Sequence, residues 1–77
     1  PNPTTGRVRL TLQLAEAQTV RAEVIDALGR RVAVLLDGLA PAGESPVEWN
    51  AASAAPGVYV VRVHTATAEL TRRVVVR

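Results

Sequence analysis

Apolar and polar residues alternate along much of the chain. From position 7 to position 14 the even positions hold Val or Leu, and the odd positions hold Arg, Thr or Gln. Because successive side chains of a strand point to opposite faces of a sheet, this pattern indicates a half-buried strand with one face in water. Similar runs recur at short intervals, and none has helical periodicity. The predicted strands cover residues 7–14, 19–25, 31–36, 47–49, 58–64 and 69–76.

Turn-forming residues separate these runs. Asp26 and Gly29 occupy the first and fourth positions of a predicted type I turn, where each is favoured. The Asp side chain can accept a hydrogen bond from the backbone two residues on, and Gly permits a positive φ angle. Asp37-Gly38 and residues 40–43 are predicted as further turns, and residues 50–56 as a loop of small side chains. About seven short strands separated by turns predict an all-β, immunoglobulin-like β-sandwich.

Composition identifies the candidate core. The chain has one Trp, one Tyr and no Phe, so Trp49 and Tyr59 are predicted to anchor the core, since aromatic side chains bury large areas. An exposed Trp49 that stacks on a sugar ring is the alternative for that residue. The chain also lacks Cys, which excludes disulfides, thiolate metal sites and Cys nucleophiles.

Charge and polar residues argue against several kinds of site. All nine cations are Arg, and they are interleaved with seven acidic residues, unlike the clustered charge of a nucleic-acid-binding surface. No apolar run approaches the length of a transmembrane segment. His64 is the only His, and the candidate nucleophile Ser45 and the acid Asp37 fall in turn-rich segments. We therefore expect no enzyme activity, no catalytic residue, no metal or cofactor, no nucleic-acid partner and no transmembrane segment.

The last run of the chain has two explanations. Three consecutive Val residues, 74–76, lie between Arg73 and Arg77. They can be covered by the opposite sheet as part of an ordinary final strand. They can also belong to a docking strand at a sheet edge, where unpaired backbone groups attract a partner and the Arg side chains contact an acidic receptor. The two explanations are compatible, and an edge position would leave few core contacts beyond residue 74.

Five short motifs, in this order, carry a resemblance to a known family: Pro1-Asn2-Pro3, the turn Asp26-Ala27-Leu28-Gly29-Arg30, Trp49-Asn50, Gly57-Val58-Tyr59 and the basic-then-aliphatic end Arg72-Arg73-Val74-Val75-Val76-Arg77. Together they resemble the C-terminal sorting domain of proteins exported by the type IX secretion system of Bacteroidetes-type bacteria. The middle motifs are also similar to the immunoglobulin-like domain of the flagellar hook-capping protein. The chain departs from the sorting-domain pattern in having Ala27-Leu28 inside the turn and Arg in place of Lys.

The resemblance implies a function. The domain would be a non-catalytic sorting and translocation signal for a larger cargo protein, which precedes it in the same chain. Its partners would be the outer-membrane translocon and the surface processing proteins, and its route would lead through the periplasm to the outer-membrane surface or the extracellular space. The residues expected to be recognised by the machinery are Arg72, Arg73, Val74, Val75, Val76 and Arg77. The residues expected to maintain the fold are Asp26, Gly29, Arg30, Trp49, Gly57 and Tyr59.

The expected organisation is a single domain over residues 7–77, preceded by the end of a linker over residues 1–6. The chain starts without Met, and we expect it to be a piece of a longer protein. Two other functions remain open on the sequence alone. One is an accessory immunoglobulin-like spacer, and the other is a carbohydrate-binding or assembly module of a larger extracellular protein.

Overall fold

The computed structural model describes residues 3–4 and 6–77. Within these residues the chain forms seven strands and no helix, which confirms the predicted all-β class. The strands are β1 (Pro3–Thr4), β2 (Arg7–Leu14), β3 (Gln18–Asp26), β4 (Arg31–Ala40), β5 (Gly43–Asn50), β6 (Gly57–His64) and β7 (Glu69–Val76). The first two residues of the Pro-Asn-Pro motif, Pro1 and Asn2, lie outside the described residues.

The strands form two sheets that share one core, as the predicted immunoglobulin-like sandwich requires. The larger sheet has the order β1-β7-β6-β3-β4, and the smaller sheet pairs β2 with β5. Neighbouring strands are antiparallel except β1, which runs parallel to β7 and is only two residues long. The larger sheet therefore has five strands where the smaller has two, and part of its inner face extends beyond the smaller sheet.

The core follows from the alternation in the sequence. The most deeply buried large side chains belong to the inner positions of β3, β6 and β7, namely Val20, Val24, Val61, Val63 and Val74. Leu12, Val47 and Trp49 cover them from the smaller sheet. The rings of Trp49 and Tyr59 lie with centroids 5.1 Å apart at an interplanar angle of 59°, a tilted arrangement that adds to the stabilisation from burial alone.

One predicted turn is wrong. Asp37-Gly38 lies inside β4, where Asp37 is opposite Arg21 and Gly38 is opposite Val20. Asp and Gly are common in turns, but the ten-residue strand β4 continues through them because β3 supplies a pairing partner for each residue from Leu36 to Ala40. Register shifts near Ala22 and Val24 accommodate the mismatch in length.

The strand directions bring distant parts of the sequence to two opposite ends of the sandwich. Asp26 lies opposite Tyr59, Gly57 lies opposite Val76, and Arg7 lies opposite Asn50. We call the end formed by residues 6–7, 26–31, 50–58 and 76–77 the motif pole. At the other end Leu14 pairs with Gly43 and His64 pairs with Glu69, and we call residues 14–18, 40–44 and 64–69 the far pole.

Candidate recognition site

The final strand has one paired edge and one edge that is mostly open. β7 pairs with β6 along its whole length, from Glu69 to Val76. On its other side, the described part of the chain supplies only β1, which pairs with Val75 and Val76. The backbone edge of residues 69–74 therefore lies at the margin of the larger sheet, where a further strand can be added.

The valines of this strand are less accessible than the sequence suggested. Val74 and Val76 are only 2% and 3% exposed, and Val75 is partly buried. Val74 lies opposite Tyr59 and Val76 lies opposite Gly57, so both face the core together with the inner side of β6. The first of the two explanations, cover by the core, therefore holds for these two residues, and Val76 makes more core contact than was expected beyond residue 74.

The arginines of the predicted recognition set are the exposed members. Arg72, Arg73 and Arg77 are all exposed. Arg72 lies opposite the buried Val61, so it leaves the strand on the same face as the buried Val74, yet it is itself exposed. Arg73 lies opposite Val60 and leaves on the outer face. In the part of the chain that the structure describes, the ion pairs to carboxylates involve other arginines, Arg7, Arg21 and Arg30.

The turn between β3 and β4 is built as the sequence predicted. The backbone N–H of Gly29 donates to the carbonyl of Asp26 at 3.0 Å, and φ of Gly29 is +84°. The Asp26 carboxylate accepts from the backbone N–H groups of Leu28 and Arg30 and from Nε of Arg30, each at 2.9 Å. These donors, the Arg30 backbone N–H first, hold the pKa of Asp26 below its usual value against a smaller opposing effect of desolvation. Asp26, Gly29 and Arg30 thus maintain a local hydrogen-bonded unit.

The other motif residues also stabilise the fold. Trp49 is 7% exposed and Tyr59 is similarly buried, which confirms both as core residues and removes the exposed-Trp sugar site. The Tyr59 hydroxyl donates to the carbonyl of Ala55 at 2.6 Å, which fixes the loop before Gly57. Asn50 accepts a hydrogen bond from the backbone N–H of Ala52 at 3.1 Å and so begins the same loop.

The polar groups outside the predicted recognition set do not converge. His64 Nδ1 lies 3.0 Å from Glu69 Oε2 in a half-exposed pair at the far pole. Across residues 3–4 and 6–77, no group of three His, Asp or Glu side chains is placed to hold a metal ion. The same residues contain no helix that is long and apolar enough to cross a bilayer.

Two features of this arrangement were not predicted from the sequence. Pro3 and Thr4, placed in the linker, form β1 beside the end of β7. The sequence signal for this strand was the proline content of the segment, because proline favours an extended backbone. The second feature is the convergence of four motifs at the motif pole. Counting strand reversals would have indicated it, since every antiparallel hairpin returns the chain to the end it left.

Comparisons with known proteins identify the family. A family model described as a secretion system C-terminal sorting domain matches residues 1–77. Comparison with curated proteins and with solved structures gave no match. The matching family is the non-catalytic C-terminal signal of the type IX secretion system, which implies a cargo N-terminal to it and export to the cell surface or the extracellular space. The match covers every residue of the chain, and the chain therefore belongs to the family of type IX secretion C-terminal sorting domains.

Proposed function

We propose that the type IX machinery recognises β7 and the arginine that follows it. The rest of the domain holds this strand in position. The observation that carries this assignment is the edge of β7, which is open over residues 69–74 and covered by β1 only at Val75 and Val76. A receptor strand added at this edge would gain backbone hydrogen bonds without disturbing the pairing with β6.

The exposed arginines supply the specificity of this contact. Arg72 and Arg73 leave the strand on opposite faces, so an added strand would meet a guanidinium on each side. A lysine ammonium, which the family pattern has at the basic positions, supplies the positive charge, and a guanidinium adds a second parallel hydrogen bond to a carboxylate. Val74 and Val76 act from the core, where they hold the strand in register, and Val75 is the partly accessible valine.

The remaining parts of the proposal follow from family membership. We place the sorting domain at residues 7–77 and the end of the linker from the cargo at residues 1–6, with Pro3 and Thr4 of that linker paired to the end of β7. The domain passes through the periplasm, engages the outer-membrane translocon and then the surface processing proteins, and it catalyses no reaction itself.

The test is export of a reporter from a bacterium that has the type IX machinery. Residues 1–77 are fused to a reporter with a signal peptide, and surface exposure is measured for the parent, the pair Arg72→Gln/Arg73→Gln and the pair Arg72→Lys/Arg73→Lys. A matched control, Arg9→Gln/Ala17→Glu, removes the same net charge from exposed positions outside the strand. We expect the parent and the control to reach the surface, the Gln pair to remain in the periplasm, and the Lys pair to be exported less well than the parent.

Two results would overturn the proposal. If the parent fusion stays in the periplasm of a host that exports its own cargo, the domain is not a sufficient signal, and the spacer function takes its place. If the Gln pair is exported like the parent, the machinery does not read the arginines of β7. A truncation after Val74 is unsuitable for this purpose, because it removes the buried Val76.

A further inference from the structure

The two ends of the sandwich differ in charge. The segments of the motif pole contain four arginines and one acidic residue, Asp26, whereas those of the far pole contain three glutamates and no arginine. Arg30 forms an ion pair with Asp26. Arg7 forms an ion pair at 2.7 Å with Glu48, which lies next to the pole on β5. Arg31 and Arg77 have no carboxylate partner among the residues that the structure describes. The motif pole therefore has an excess of positive charge available to a partner.

Apolar side chains are exposed at the same end. Leu28, in the turn after β3, is 77% exposed, and Val58 at the start of β6 is 38% exposed. A shallow groove lies between them, and the residues that line it are Asp26, Ala27, Leu28, Arg30, Pro56, Gly57, Val58 and Tyr59. The turn is held by the backbone of Leu28 and not by its side chain, so folding gives no reason for a large apolar residue at this position.

The groove lies beside the end of the strand that we propose is recognised. Gly57, in the groove wall, is opposite Val76, and the exposed Arg77 follows directly. β1 covers the edge of β7 between its open part and this end, so a partner strand on the open edge would be joined at the groove by a second segment of the same partner. Arg30, fixed through its Nε to Asp26 and 71% exposed, lies on the rim of the groove.

From these observations we infer that the motif pole is a second contact surface for the same partner, and that this partner presents a protein surface with an apolar centre bordered by Asp or Glu side chains. The inference rests on the proposed sorting function. An apolar centre with a charged rim is the usual anatomy of a protein–protein contact. A lipid headgroup layer or an anionic polysaccharide would be matched by a denser group of cations, whereas two of the four arginines at this pole are already paired with carboxylates.

The test compares two double variants in the reporter fusion. Leu28→Ser/Arg31→Gln changes the motif pole and leaves β7 intact. Leu39→Ser/Arg9→Gln is the matched control, because Leu39 is 75% exposed and lies near the far pole, and the charge change is the same. We expect surface export of the motif-pole variant to fall about tenfold, with the control close to the parent, since loss of a central apolar contact and of the unpaired Arg31 charge weakens binding. Melting temperatures of the isolated variants show whether each one is folded.

A second measurement does not depend on the folding of the double variant. The chain has no Cys, so Leu28→Cys and Leu39→Cys each introduce a single thiol for a photoreactive crosslinker. In exporting cells, the thiol at position 28 should crosslink to a protein of the secretion machinery at a segment rich in Asp and Glu, and the thiol at position 39 should not.

The outcomes separate this inference from the function on which it rests. If the parent and both double variants are exported equally, the motif pole is not a contact surface, while the sorting function stands. Crosslinking from position 28 to lipid or polysaccharide, or to a basic protein segment, would also overturn the inference. If the parent itself is not exported, the sorting function fails, and the inference fails with it.

Discussion

Single side chains stabilise this small domain through local hydrogen bonds and through its two aromatic rings. Asp26 accepts three hydrogen bonds on its carboxylate and one on its carbonyl, and its N–H donates to the Arg30 carbonyl at 2.8 Å. Trp49 and Tyr59 join the smaller sheet to the larger one across the core. Each of these arrangements can be tested by one substitution.

Trp49→Ala should lower the free energy of unfolding by roughly 3–5 kcal/mol, because a buried aromatic loses both its transfer energy and its packing. Urea denaturation followed by circular dichroism measures the change. Trp49→Phe is the control that retains an aromatic ring, and it should lose less. An unchanged midpoint for Trp49→Ala would mean that the ring contributes nothing to the core.

Gly29→Val should destabilise the domain by more than about 1 kcal/mol, because a β-branched residue rarely adopts positive φ. A Cβ atom at this position would meet nothing within 4 Å, so the cost would come from the backbone and not from a clash. Gly29→Asn is the matched control, since Asn tolerates this region better. Thermal denaturation of the two variants measures the difference, and equal melting temperatures would contradict the explanation.

The lowered pKa of Asp26 predicts how stability depends on pH. The folded protein holds this proton less tightly than the unfolded chain, so the stabilisation is present above the unfolded pKa and is lost as the pH falls through the folded pKa. Melting temperatures from about pH 5 downward should therefore fall less steeply for Asp26→Asn than for the parent. Asp37→Asn serves as the control, because the Asp37 carboxylate accepts no hydrogen bond within the described structure. Parallel curves for the parent and Asp26→Asn would rule out a contribution from this carboxylate.

Among the elements, β7 combines a core strand and an accessible edge. Its two inner valines complete the core, its arginines lie in solvent, and β1 covers two residues of its outer edge. Stability and recognition therefore depend on different side chains of one strand, and a deletion cannot separate them.

The two valines at the end of β7 should differ in their contribution to stability. Val76→Ala should cost roughly 2 kcal/mol, because it removes two buried methyl groups and leaves a cavity. Val75→Ala, on the partly exposed outer face, should cost less. Urea titrations of both variants make the comparison, and a Val75→Ala loss as large as that of Val76→Ala would show that the outer face is also packed.

For the domain as a whole, the sequence predicted what is determined locally. The alternation at residues 7–14 and the chemistry of Asp26 and Gly29 act over a few residues, so β2 and the turn were predicted correctly. Asp37-Gly38 was predicted wrongly, because pairing with β3 outweighs the turn preference of the two residues. The cover of Val76 by the core and the pairing of Pro3 with Val75 depend on register between distant strands, which one sequence does not specify.

The parallel pairing of β1 with β7 has a mechanical consequence. Pro3 lies beside Val75 and Thr4 beside Val76, so the two strands advance in the same direction. Suppose that force is applied to the N-terminal end of β1 through the cargo and to the C-terminal end of β7. The two forces act in opposite directions along the strands, so all the hydrogen bonds between β1 and β7 bear the load together, in shear. Strands pulled apart from one end would instead lose those bonds one after another. Forced unfolding is governed by the unfolding rate and not by equilibrium stability. We therefore expect the pairing of β1 with β7, although only two residues long, to yield at a higher force than the same pairing loaded from one end.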